Sequence, residues 1–155
     1  MNFKNVLQTI FLTILLMGCG FKPLNQQTNL IISQIDLKGE KKINYHLKNK
    51  LYKFSNTEKG KKISINIETE TKKTIKEKNI SNEIIKYEMY MAAKVTFKLI
   101  ESSQEKAFSV NTRGDFNVSN QYSTTLNNEK NLSNSLINDL SNKIIKNLIS
   151  KVNDL

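Results

Sequence analysis

The sequence predicts an α+β fold: a two-layer sandwich of two helices packed on a mixed four-stranded sheet, in the order strand-helix-strand-strand-strand-helix. Two observations predict it. Ile85, Tyr87, Met89, Met91, Ala93, Val95, Phe97 and Leu99 are all odd-numbered and apolar, and the positions between them are mostly charged or polar, which is the period-two pattern of a long half-buried strand. On either side of the strand region lie segments whose apolar residues recur at helical spacing.

In chain order, Asn29 to Leu37 carries Leu30, Ile31, Ile32, Ile35 and Leu37 in loose alternation and stops at Gly39, a short strand. From Lys41 to Phe54, Ile43, Leu47, Leu51 and Phe54 form one helical face, with Lys42, Lys48, Lys50 and Lys53 on the other. Asn56 to Gly60 breaks that helix. Ile63, Ile65 and Ile67 alternate with polar residues, and the polar run Thr69 to Thr74 extends the strand past the core. After the long strand, Phe108, Val110 and Thr112 continue past Gly114 to Phe116 and Val118, with Gly114 expected at a bulge or bend. The connections at 79–82 and 102–104 are short enough for hairpins, so these three strands form an antiparallel meander. Leu132, Leu136, Ile137, Leu140, Ile144, Leu148 and Val152 make the stripe of a final helix. Residues 30–155 therefore form one domain.

The N-terminus is of another kind. Lys4 is the only charge before Cys19, and Val6 to Met17 is almost wholly apolar. A short basic region, a short apolar core and a small residue at the cut is the pattern of a secretory leader, residues 1–18. Leu16-Met17-Gly18-Cys19 reads as a lipobox, in which the Cys19 thiol takes a covalent lipid before cleavage. Cys19 is the only cysteine, so no disulfide and no thiolate metal site can form within one chain, and lipidation accounts for a lone cysteine in an exported protein. Residues 19–29, with the only proline and many amides, read as a lipidated tether.

The net charge of +10 suggests an anionic partner. Composition argues for caution: there are 23 lysines to one arginine, 21 asparagines and only three alanines, the usage of an A+T-rich genome. With arginine, the preferred reader of phosphates and base edges, nearly absent, and with export, no nucleic acid is expected as a partner. Catalysis finds little footing. His46, the only histidine, lies on the lysine-bearing helix. Glu68 and Glu70 share a strand face with Lys72, which reads as a charge-balanced edge. No cluster has metal-ligand spacing, so no metal, no other cofactor and no enzyme activity is expected.

What remains are surfaces. The long strands extend beyond what two short helices would cover, and Tyr90 and Ala92 make the second sheet face partly apolar. The hairpin tip between the second and third strands is expected to hold Lys72, Lys73, Lys76 and Lys78 against Glu77, and these are the candidate ligand-binding residues for an anion.

The opening Cys19-Gly20-Phe21-Lys22-Pro23-Leu24 resembles that of the LPS-assembly lipoproteins, the LptE family. The element order and the stretch Arg113 to Ser123 before the final helix are also similar to that family. The resemblance implies a non-catalytic lipoprotein of the outer membrane, anchored on the periplasmic side. Its implied partners are lipopolysaccharide and an LptD-like outer-membrane β-barrel translocon. A stand-alone lipid-binding lipoprotein, or an auxiliary one of another envelope transport system, is the alternative.

Overall fold

The computed structural model describes residues 30–55, 60–102 and 104–154. The leader, Cys19 and the tether lie outside the described residues. The elements are β1 (Leu30–Lys38), α1 (Lys41–Phe54), β2 (Lys61–Lys78), β3 (Ile84–Leu99), β4 (Glu105–Asn117) and α2 (Tyr122–Asn153). The sheet runs β1-β2-β3-β4, with β1 parallel to β2 and the other neighbours antiparallel. A parallel neighbour needs a crossover, and α1 supplies it. Both helices pack on the same face, α1 near β1 and α2 across β3 and β4, so the expected α+β sandwich is the fold.

Each layer follows from its pattern. Met89, Met91, Ala93, Val95, Phe97 and Leu99 of β3 are buried toward the helices, with Ile63, Ile65 and Ile67 of β2 beside them. Ile43, Leu47 and Leu51 of α1 and Leu140, Ile144 and Leu148 of α2 close over them. The loose alternation of β1 has a local cause. Its register slips between Ile32 and Gln34, leaving Ser33 as a bulge. Leu30 and Ile32 face the core before the bulge, and Ile35 and Leu37 pack against it afterwards.

Gly114 is not at a bulge. The β3–β4 register runs unbroken through Met89 opposite Gly114. A Cβ there would stand 2.7 Å from Leu132 Cδ1, so the glycine lets α2 come down close to the sheet. Gly39 has a different task. Its φ is +107°, and a Cβ would meet the Thr69 carbonyl oxygen at 2.3 Å, so the chain can leave β1 only by a tight turn pressed on β2. β1 ends with Lys38 opposite Glu68. Beyond that point the outer edge of β2 has no strand beside it among the described residues.

The final helix is longer than its apolar stripe. It starts at Tyr122, ten residues before Leu132, and has 32 residues, about 48 Å at 1.5 Å per residue. That matches β3, about 50 Å long, so the expectation of two short helices is corrected: α2 reaches the length of the sheet. Among the described residues nothing covers the opposite face, and it is polar. Tyr90 lies between Lys72 and Arg113, and Ala92 between Glu70 and Asn111, so they do not join into an apolar patch.

Asp139 ties α2 to β4. Lys143 pairs with its carboxylate at 2.8 Å, and the buried Thr112 hydroxyl donates to it at 2.7 Å. These bonds, Lys143 first, hold the carboxyl below its ordinary value of 3.8. A group with a depressed folded pKa stabilises the fold above its unfolded pKa, and that stability is lost as pH falls through the folded value. Urea unfolding from neutral pH down into the acid range should therefore show wild-type stability falling below about pH 4 more steeply than that of Asp139→Asn. Parallel curves would rule out this coupling.

Candidate functional site

The molecule has two ends, and the one formed by the β2–β3 hairpin concentrates exposed apolar side chains. β2 runs past the core because β3 pairs with it as far as Lys78 opposite Ile84. The turn is a built structure. Asn79 N–H donates to the Glu83 carbonyl at 2.9 Å, while its side-chain oxygen accepts from the N–H groups of Ser81 (3.0 Å) and Glu83 (2.9 Å). Asn82 takes φ 63°, which asparagine tolerates better than most residues. Held at the apex of this rigid turn is Ile80, with its side chain wholly in solvent.

Ile75 and Ile85, from the two strands of the same hairpin, are exposed behind it, as are Tyr122 and Leu126 of α2. Isolated apolar residues on a surface are ordinary, but five at one end form a set that merits a functional account. Sequence reasoning missed them. Ile80 was readable in principle, as an isoleucine in an Asn-Ile-Ser-Asn turn where polar residues prevail.

Of the four candidate lysines only Lys78 stands beside the apex, and the four do not form one surface. They lie along the outer half of β2, and each has a partner. Lys72 pairs with Glu70 at 2.8 Å on the open face, and that bond raises its pKa. Lys73 turns to the helix side, where it pairs with Glu129 at 2.8 Å. It also lies 4.6 Å above the Tyr87 ring and 5.2 Å above Phe116, two rings that stack on each other. Lys76 bonds Asp115 of β4, which likewise raises its pKa. Lys78 donates to Asn82 Oδ1 at 2.9 Å, and Glu77 pairs with Lys86 at 2.8 Å. An anion arriving here would have to displace carboxylates already in place. Sequence showed this for Lys72 beside Glu70 but not for Lys73 and Lys76, because Glu129 and Asp115 are distant in the chain.

A groove of about 500 Å³ opens behind this end, between the first turn of α1, the sheet and α2. It exists because α1 starts beside Thr69 and covers only the inner half of β2. Met89, Met91 and Thr71 line it, Leu126 forms a wall, and Lys42, Lys73, Lys130, Glu40 and Glu129 stand at its rim. The Thr71 hydroxyl is buried with no hydrogen-bond partner among the described residues.

The remaining candidates resolve simply. His46 is exposed on α1 with its ring edge to Tyr45 at 5.9 Å. Glu68 and Glu70 lie on the open polar face, with Glu70 held by Lys72. Among the described residues no helix is long and apolar enough to cross a membrane.

The fold is one that lipoproteins share. Rare lipoprotein B from Shewanella oneidensis superposes with a TM-score of 0.62 at 10% identity, over 78% of this chain and 97% of that one. The solution structure of the uncharacterized lipoprotein B from Nitrosomonas europaea gives a TM-score of 0.57 at 16% identity, over 86% of this chain and 93% of the other. No family model and no curated protein matches the sequence.

Proposed function

We propose that the chain is a non-catalytic lipoprotein of the outer membrane, held on the periplasmic side by lipid on Cys19. In this reading it partners a β-barrel translocon in assembling lipopolysaccharide at the cell surface. The observation that carries the proposal is the polarity of the molecule. The chain enters the sheet at Leu30, and the apolar apex around Ile80 stands at the other end, roughly 50 Å away along β3. A rigid turn presenting one isoleucine, backed by Ile75, Ile85 and Leu126, suits insertion into a protein partner, where a few apolar anchors supply most of the affinity. The fold shared with lipoproteins and the lipobox at Cys19 support the anchored state.

Tagged protein purified from outer membranes should bring down a large β-barrel in one-to-one ratio. Ile80→Asp should weaken that complex by about thirtyfold or more, as loss of an interface anchor does, while urea stability changes by no more than about 0.5 kcal/mol, as for an exposed site. Recovery as a free monomer, with barrel levels unchanged on depletion, would leave the second reading: a lipoprotein that binds lipid by itself, or serves another envelope transporter. The groove floored by Met89 and Met91 favours that alternative.

A further inference from the structure

The register and the helix termini define the end of the molecule opposite the apex. Leu30 lies beside Lys61, Ile63 beside Leu99, and Lys98 beside Glu105. So β1 and β2 begin where β3 ends and β4 begins. α1 ends here as well, because Ile32 N–H donates to Ser55 Oγ at 2.9 Å. α2 ends here too, because Lys61 Nζ donates to the Val152 carbonyl at 3.1 Å.

This end is basic in a way the other is not. Lys53, Lys61, Lys62, Lys98, Lys106 and Lys151 stand here with Glu101, Glu105 and Asp154. None of the six makes an ion pair among the described residues, whereas Lys72, Lys73, Lys76 and Lys86 at the apex end each hold a carboxylate. Among the described residues, Lys42, Lys78 and Lys130 toward the apex also lack a carboxylate. Only at this end, though, is every one of the clustered lysines without one, and codon bias, which supplies lysine to both ends alike, does not account for that. Lys53 and Lys151 sit in last turns of helices, and Lys61 on a terminal carbonyl, where the helix dipole favours a cation. Lys62, Lys98 and Lys106 are strand residues with no such reason. Among these lysines, Ile100 in the β3–β4 turn and Tyr52 in the last turn of α1 are about half exposed. Lysine, an aliphatic residue and tyrosine together are the side chains of a surface that rests in a bilayer interface.

We propose that this end is a membrane-facing surface that recognises the anionic headgroups of phospholipids in the leaflet holding the lipid anchor. The proposal rests on the lipoprotein reading above. Ten residues separate Cys19 from Leu30, and the eleven steps between them reach at most about 40 Å. The tether thus brings the basic end to the leaflet, and electrostatic attraction within a Debye length of about 10 Å sets its orientation. Docked this way, the basic end lies on the lipid and the Ile80 apex points away from it.

The test uses the full mature chain, residues 19–155, with Cys19→Ala so that no acyl group contributes. It should sediment with phosphatidylcholine vesicles containing phosphatidylglycerol, bind plain phosphatidylcholine weakly, and dissociate as salt rises. Lys53→Gln, Lys62→Gln, Lys98→Gln and Lys106→Gln together should lower partitioning by about 600-fold, at about fivefold per lysine. The matched set Lys72→Gln, Lys73→Gln, Lys76→Gln and Lys78→Gln removes the same charge and should change it little. If the first set impairs folding, Lys62→Gln with Lys98→Gln, both exposed, should still cost about twentyfold. Equal binding to both vesicles, no binding to either, or equal losses from the two sets would overturn the proposal. Absence of acyl label on Cys19 in the unmodified protein would instead overturn the lipoprotein reading, and the two failures are read separately.

Discussion

Cys19→Ala is expected to leave the chain unacylated and uncleaved by the lipoprotein peptidase, so that the leader stays attached. The effect should be close to all-or-none. The thioether can form only on a sulfur, and Cys19 is the only cysteine in the chain. Each acyl methylene placed in the bilayer contributes about 0.8 kcal/mol, so several chains together hold far more firmly than the roughly millimolar-to-micromolar grip of one. Palmitate labelling with gel mobility checks the first step, and fractionation after removal of the leader checks the second. A wild-type protein that carries no acyl label yet stays membrane-bound would sink the anchor assignment.

The second large effect is in the core. Phe97 is 1% exposed, pairs across the sheet with Ile65, and lies edge-on to Phe108 with centroids 6.4 Å apart. Phe97→Ala should cost about 3–5 kcal/mol, the sum of lost burial and the cavity left behind. That is a large share of the roughly 5–15 kcal/mol that holds a domain of ordinary stability. Urea unfolding should show the midpoint collapse with little change in slope. A loss under about 1 kcal/mol would mean that the two layers repack freely around this site.

Phe97 also shows why so much of the fold was legible. The odd-numbered face of β3 is written in the sequence at period two, and the bounds of α1 follow from its apolar spacing. Legibility ended where burial ended. Residues 122–131 of α2 carry only Tyr122 and Leu126 as large apolar residues, both exposed, so no periodicity announced the first third of the helix. The β1 pattern was blurred because one bulged residue reverses the parity of the side chains after it. Gly114 was misread because a glycine in a strand is explained either by backbone conformation or by what approaches it, and only Leu132 in place decides. The candidate lysines fared similarly: their positions in the chain were plain, but the carboxylates that neutralise Lys73 and Lys76 come from α2 and β4. The exposed apex escaped because an isoleucine in a turn contributes nothing to a core pattern.

One further consequence follows from β1 ending at Lys38. Among the described residues, 69–78 of β2 are left as a strand edge ten residues long, and such an edge is a template on which a second molecule can add its own strand and begin aggregation. This stretch carries Lys72, Lys73, Lys76 and Lys78, and two register shifts break its regularity near Ile75 and Glu77. Lysines and irregular pairing on an open edge are what keeps sheet proteins from joining edge to edge. Whatever else these lysines meet, they disfavour edge-to-edge joining of this sheet.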